Sequence, residues 1–185
     1  MTPKRGQMNT PEKKMKTAAG REEDNLVGKC LKGLSNHLTG PTTSQKIFSL
    51  EKMEAKYLIL YFYPKDHTSA CTLEGQEFAA KYKEFKKVGA EIIGVSRDSL
   101  SSHEKFKAKI LAPFELLSDP EEKLCSRFGV IKQKNMYGRK VLGIERSTFI
   151  IDNEGVVRAQ WRGLKVAGHV DEVLKALKAL AKTKA

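Results

Sequence analysis

The fold is decided by residues 57–71, which read Y-L-I-L-Y-F-Y-P-K-D-H-T-S-A-C. The aliphatic and aromatic run at 57–63 predicts a buried strand that ends at Pro64. A helix is predicted next, because apolar residues recur there at intervals of three and four until Gly89, which is suited to end it. The block E-I-I-G-V-S at 91–96 predicts a second buried strand. A strand, a helix and a strand in this order form a βαβ unit with parallel strands and a right-handed crossover.

The rest of the chain predicts further elements around this unit. They are a helix opened by a capping box at Ser101-x-x-Glu104 and ending at Ile110, a short strand at Phe114–Leu117, a helix from Asp119-Pro120 to Gly129, a hairpin of S-T-F-I-I-D and V-V-R-A-Q-W joined by Asn153-Glu154-Gly155, and a last helix with the apolar stripe Val170, Val173, Leu174, Leu177 and Leu180. This order predicts a thioredoxin-like α/β fold, a central mixed β-sheet flanked by helices.

The composition is that of an ordinary globular protein with one domain. Of its 185 residues, 40% are hydrophobic and 30% are charged, and such a length suits a single core. We predict a disordered basic tail at residues 1–24, which has little to bury, and a folded domain at 25–185. No run approaches the roughly 20 apolar residues of a membrane helix, so we expect no membrane partner.

The formal charge of +12 favours anionic partners. Nucleic acid remains a minority hypothesis, because no recognition motif or basic stripe interleaved with aromatic residues supports it.

Three cysteines without a signal peptide indicate a reducing compartment, the cytoplasm, with the nucleus as the alternative. The histidines lack metal-ligand spacing and are expected at the surface, so we predict no metal and no cofactor. They are His37, His67, His103 and His169.

Cys71 carries the predicted chemistry, because it falls in the first turn of a helix that follows the central strand. Unpaired N–H groups and the helix dipole favour a thiolate there. Lowering a thiol pKa from about 8.5 to about 6 raises the ionised fraction at pH 7 only about thirtyfold. A fast reaction therefore needs groups that stabilise its transition state. Arg146, before a strand expected to run antiparallel to the central one, and Thr68 are the candidates.

The motif P-K-D-H-T-S-A-C at 64–71 resembles the P-x-x-x-T-x-x-C signature of peroxiredoxins. With G-V-S-R-D-S, L-L-S-D-P and E-R-S-T-F-I-I-D, the chain is similar to their Q-type, or bacterioferritin-comigratory-protein, subfamily over about residues 47–182. The resemblance implies a thiol-dependent peroxidase that reduces hydrogen peroxide and organic hydroperoxides through a cysteine sulfenic acid. It implies a role for each matching residue: Cys71 as the peroxidatic cysteine, Thr68 bonding the peroxide, Pro64 shielding the intermediate, Arg146 activating the thiolate and Glu74 orienting the arginine.

The chain departs from this family where a resolving cysteine is expected. Many Q-type members carry it five residues after the peroxidatic one, where this chain has Gln76, and the other known position is close to Lys107. Cys125 and Cys30 remain as possible resolving residues. We interpret Cys125 as packed and leave the role of Cys30 open. We therefore expect a one-cysteine cycle with thioredoxin, glutaredoxin or a small-molecule thiol as the reductant.

Several alternatives stay open at the level of the sequence. The chain could be a peroxide sensor or redox relay with slow turnover, or an antioxidant protein associated with nucleic acid through its tail. Lys65 and Asp66 either shape the loop before Cys71 or are solvated charges. We expect a monomer or a dimer.

Overall fold

The computed structural model describes residues 24–33, 38–136 and 138–183. In chain order, the elements of these residues are β1 (Thr39–Pro41), β2 (Ile47–Ser49), a 3-10 helix (Leu50–Lys52), β3 (Tyr57–Phe62), α1 (Ser69–Lys87), β4 (Ala90–Ser96), α2 (Leu100–Ile110), β5 (Glu115–Ser118), α3 (Lys123–Arg127), β6 (Ile131–Met136), β7 (Arg139–Ile144), β8 (Ser147–Asp152), β9 (Val157–Arg162) and α4 (His169–Thr183). The predicted tail lies outside the described residues except for Asp24, whose carboxylate accepts from Lys132 Nζ at 2.7 Å.

A five-stranded sheet in the order β5-β4-β3-β8-β9 forms the centre of the fold. β3 is parallel to β4, and β4 is parallel to β5, whereas β8 is antiparallel to both β3 and β9. All residues of β3 and β8 are buried, as expected for inner strands that are covered on both faces. Because Phe62 pairs with Ser147, the end of β3 lies beside the start of β8.

The sheet separates two hydrophobic cores. Successive side chains of β3 point to opposite faces, so that Ile59 and Tyr61 belong to one core and Leu60 and Phe62 to the other. Helices α1, α2 and α4 cover the first face. Helix α3 covers the second, together with the N-terminal segment that includes Leu31.

These observations confirm the predicted thioredoxin-like α/β fold, but several local predictions change. Helix α3 covers only Lys123–Arg127 rather than the predicted stretch from Asp119 to Gly129, because the Asp119 side chain lies before the helix and accepts from the N–H groups of Lys123 and Cys125. Helix α2 begins at Leu100 rather than at Ser101, because the extended backbone of Ser99 lets its hydroxyl accept from the N–H of Ser102. The β6–β7 hairpin was not predicted, since its charged residues mask any apolar alternation. Within the described ranges, no helix combines the length and the apolar character needed to cross a membrane.

Candidate active site

Cys71 lies in the first turn of α1, where the loop after β3 enters the helix, and is only 1% exposed. Thr68 is the N-terminal capping residue of α1, yet its side chain makes no capping hydrogen bond. Its hydroxyl donates instead to the carbonyl oxygen of Lys65 at 3.1 Å. The N–H groups of the first turn have no partner within the helix, so they leave a positive environment for an anionic sulfur or a polar oxygen. Helix α1 and its neighbours thus enclose the sulfur.

The guanidinium of Arg146 contacts both Cys71 and Glu74. Its Nη2 donates to Cys71 Sγ at 3.1 Å, and its Nη1 donates to Glu74 Oε2. Cys71 and Glu74 are three residues apart on α1 and therefore present their side chains on the same face. The planar guanidinium can hold both groups at fixed angles. The predicted proximity of Arg146 to Cys71 is confirmed, and it follows from the pairing of β3 with β8.

Glu74 is fully buried, and its second oxygen, Oε1, has no hydrogen-bond partner among the described residues. Burial raises the pKa of Glu74 to about 7, although the charge of Arg146 acts in the opposite direction. Near neutral pH, a large fraction of Glu74 is thus protonated. The neighbouring Tyr61 is buried too, and burial together with the negative charge of Glu74 and Cys71 raises its pKa, which keeps the phenol neutral.

Replacement of Glu74 by Gln is expected to remove a pH dependence of stability. Between the ordinary pKa of 4.5 and the folded value of about 7, the folded protein binds more protons at Glu74 than the unfolded chain. The free energy of unfolding therefore falls as the pH rises through this window and levels off above it. Urea unfolding at pH 5 and pH 8 should show the parent losing roughly 2 to 3 kcal/mol more than Glu74→Gln. An equal change in both proteins would contradict the raised pKa of Glu74.

Asp66, between Pro64 and Thr68, is buried, whereas Lys65 is exposed. The Asp66 carboxylate accepts from the hydroxyls of Tyr63 at 2.8 Å and Ser102 at 2.7 Å, and it lies 2.9 Å from His103 Nδ1. Burial favours the neutral acid, but His103 and the two hydroxyls outweigh it and lower the pKa of Asp66. Of the two interpretations of Asp66, these buried contacts favour a role in shaping the loop over a solvated charge.

The prediction of surface histidines is wrong for two of the four. His103 and His169 are buried, His67 is exposed, and His37 lies outside the described residues. His169 Nε2 lies 2.8 Å from Thr148 Oγ1. Burial and the charge of Arg146 lower the pKa of His169 to about 4, so it adds no positive charge at neutral pH. The described part of the chain contains no cluster of three or more His, Cys, Asp or Glu that could hold a metal ion.

The two other cysteines lie away from Cys71. Cys125 is buried in α3 within the core on the opposite face of the sheet, and burial raises the pKa of its thiol. Cys30 is exposed and forms an isolated bridge with Val156, beside the turn between β8 and β9. That turn follows the end of β8, whereas Arg146 precedes its start. At about 3.4 Å per residue, the length of β8 separates Cys30 from Cys71 by roughly 17 Å.

Comparisons with known proteins agree with this geometry. Residues 34–160 match the model of the AhpC/TSA family. Peroxiredoxin Bcp of Xanthomonas campestris is 60% identical over 126 residues, which cover 68% of this chain and 79% of that protein. Peroxiredoxin Bcp of Bacillus subtilis is 49% identical over 129 residues, or 70% and 82% of the two chains.

Solved structures of related proteins also resemble this chain. The bacterioferritin comigratory protein of X. campestris, studied for its alkyl peroxide reduction activity, has a TM-score of 0.74 at 52% identity, covering 78% of this chain and 92% of that one. A mutant of Xylella fastidiosa PrxQ has a TM-score of 0.79 at 41% identity, covering 84% and 96%.

Proposed function

Because the chain belongs to the AhpC/TSA family, as a Q-type peroxiredoxin and thiol-dependent peroxidase, we propose that Cys71 is its peroxidatic cysteine. The observation that carries this assignment is the 3.1 Å hydrogen bond from Arg146 Nη2 to Cys71 Sγ. A guanidinium that remains charged at every physiological pH stabilises the thiolate at this distance. Among the described residues, no cation lies within hydrogen-bond distance of the Cys125 sulfur, and burial beside Asp119 raises the pKa of this thiol and keeps it neutral.

In the proposed reaction, the Cys71 thiolate attacks the terminal oxygen of the peroxide. The S–O bond forms as the O–O bond breaks, and the departing oxygen takes up a proton to become water or an alcohol. Cys71 is left as a sulfenic acid. Arg146 stabilises the negative charge that moves from sulfur to the departing oxygen. Thr68 Oγ1 uses its hydrogen on the Lys65 carbonyl, so its lone pairs can accept from the peroxide O–H.

Two further residues of the site, Pro64 and Glu74, support this reaction. Pro64 is half-buried at the end of β3 and shields the sulfur from bulk water. Glu74 fixes the second arm of the Arg146 guanidinium. We also propose that organic hydroperoxides are substrates alongside hydrogen peroxide, because the related X. campestris protein has alkyl peroxide reduction activity.

We propose a one-cysteine cycle with an external reductant. A disulfide requires Cα atoms within about 7 Å. The sheet lies between Cys71 and Cys125, and the length of β8 lies between Cys71 and Cys30. An external thiol therefore attacks the sulfenic acid, releases water and forms a mixed disulfide, which a second thiol reduces. Thioredoxin, glutaredoxin and a small-molecule thiol remain the candidate donors.

Peptide mass spectrometry after one equivalent of hydrogen peroxide tests the assignment and the cycle together. In the absence of a donor, we expect a sulfenic acid at Cys71, trapped with dimedone, and unmodified Cys30 and Cys125. The Cys30→Ser variant serves as a control and should give the same adduct in the same yield. Formation of a Cys71–Cys30 or Cys71–Cys125 disulfide would overturn the one-cysteine cycle. Peroxide consumption without oxidation of Cys71 would overturn the assignment.

We propose a cytoplasmic protein that is a monomer or a dimer. Neither the sensor hypothesis nor the nucleic-acid hypothesis gains support from a particular contact of the described residues.

A further inference from the structure

A buried polar cluster holds the loop before Cys71 against helix α2. We call it the Asp66 cluster, and its members are Tyr63, Asp66, Ser102 and His103. The side chains of Asp66 and His103 are 1% and 0% exposed. Nothing in the proposed reaction requires Asp66 or His103 to touch the peroxide or the sulfur.

The hydrogen bonds fix the protons of this cluster. His103 Nε2 lies 3.1 Å from the carbonyl oxygen of Leu117, which can only accept, so Nε2 carries a hydrogen. His103 Nδ1 lies 2.9 Å from Asp66 Oδ2, and the carboxylate already accepts from two hydroxyls. A proton must therefore lie between Nδ1 and Oδ2 as well. A hydrogen bond therefore joins these two buried side chains.

The backbone of the same loop is tied to the next strand. The N–H of Asp66 donates to Asp98 Oδ2 at 2.9 Å, and Ser96 Oγ donates to the same oxygen at 2.6 Å. Thus the loop after β3 is bonded to the residues that follow β4, and through His103 to β5. Asp66 is the residue that makes both connections.

The next residue shows why the loop needs these bonds. His67 has a φ of +62°, in the left-handed region that residues with a side chain seldom adopt. Local preference does not hold the chain in this conformation, so the flanking contacts must do so. Thr68 follows directly, and the direction of its hydroxyl depends on the turn at His67. A buried pair of hydrogen-bonded polar side chains adds little net stability, since desolvation offsets its attraction, but it can fix one geometry.

We propose that Asp66 and His103 are positioning residues for the peroxidase reaction, which hold Thr68 at the distance from Cys71 that peroxide binding requires. This inference rests on the proposed roles of Cys71 and Thr68. It predicts a loss specific to peroxide, because only peroxide uses the Thr68 hydroxyl. Alkylation of the Cys71 thiolate by iodoacetamide does not use it.

Two substitutions of His103 each keep only one of its two hydrogen bonds. In His103→Gln, the side-chain amide nitrogen takes the place of Nε2 and can still donate to Leu117, but the contact with Asp66 is lost. In His103→Asn, the amide nitrogen takes the place of Nδ1 and keeps the contact with Asp66. A third variant, Phe85→Leu, shortens a buried side chain near the other end of α1 and controls for a general loss of stability.

The measurements are the second-order rate constants of Cys71 with hydrogen peroxide and with iodoacetamide, both followed on the Cys71 peptide by mass spectrometry. A displacement of Thr68 by about 1 Å is expected to slow the peroxide reaction about 10- to 100-fold in His103→Gln. The alkylation rate should stay within about twofold of the parent value, because iodoacetamide does not use the Thr68 hydroxyl. His103→Asn should recover most of the peroxide rate, and Phe85→Leu should react like the parent.

The other outcomes overturn the inference. A peroxide rate within threefold of the parent in His103→Gln would do so, as would an equal loss in both His103 variants or a parallel loss of alkylation. Where His103→Gln does not fold, Ser102→Ala combined with Tyr63→Phe removes the two hydroxyl donors of Asp66, and the same thresholds apply. A parent protein whose Cys71 does not react with peroxide would overturn the proposed function together with this inference.

Discussion

Cys71→Ser is expected to lower peroxide reduction by more than about 1,000-fold, the order of loss that follows removal of a catalytic nucleophile. The thiolate is the attacking group, whereas the hydroxyl of serine stays protonated at neutral pH and is a poor nucleophile. The substitution should leave the fold intact, because serine is close to cysteine in size and its oxygen can accept from Arg146 Nη2 in place of the sulfur, which now accepts at 3.1 Å.

Consumption of hydrogen peroxide with saturating thiol donor measures this loss, and circular dichroism checks the fold. The matched control is Cys30→Ser, since Cys30 is exposed at the other end of the sheet and should retain the parent rate. Peroxide reduction at the parent rate by Cys71→Ser would refute the whole assignment.

Arg146→Lys is expected to raise the barrier of the peroxide reaction by about 2 to 4 kcal/mol, or roughly 30- to 1,000-fold in rate. The charge remains, but an ammonium group is a point charge and cannot donate to Cys71 Sγ and Glu74 Oε2 in one rigid plane as the guanidinium does. The charge that develops on the departing oxygen then loses a fixed donor.

The rate constant of sulfenic acid formation at Cys71 is the quantity to measure for this variant. Arg158→Lys is the matched control, because Arg158 pairs with Asp152 and Glu154 at the far end of β8. It should keep the parent rate. A loss below threefold in Arg146→Lys would exclude the proposed role of the guanidinium.

The position of Arg146 could be predicted because a regular feature determines it. An antiparallel neighbour of the central strand must begin where that strand ends, and the pairing of Phe62 with Ser147 follows from this rule. The strands themselves were predictable for a similar reason, since apolar runs flanked by Pro64 and Gly89 leave few alternatives.

The burial of Asp66 could not be predicted in the same way. Its partners Ser102 and His103 are more than thirty residues away, and a polar side chain gives no sign in the sequence of which distant donors will surround it. The capping residue of α2 was missed for a different reason. Ser99 and Ser101 both suit that position, and only the end of β4 decides between them. His169 is buried because α4 packs with its first residue against the sheet.

The 1% exposure of Cys71 has a kinetic consequence. A peroxide has few atoms, but a protein thiol must bring its own sulfur into line with the S–O bond. We therefore expect that the residues enclosing Cys71 must open before such a donor makes contact. Reduction by a protein thiol is then expected to be gated, so that with abundant protein donor its rate levels off at the rate of this opening rather than rising with donor concentration.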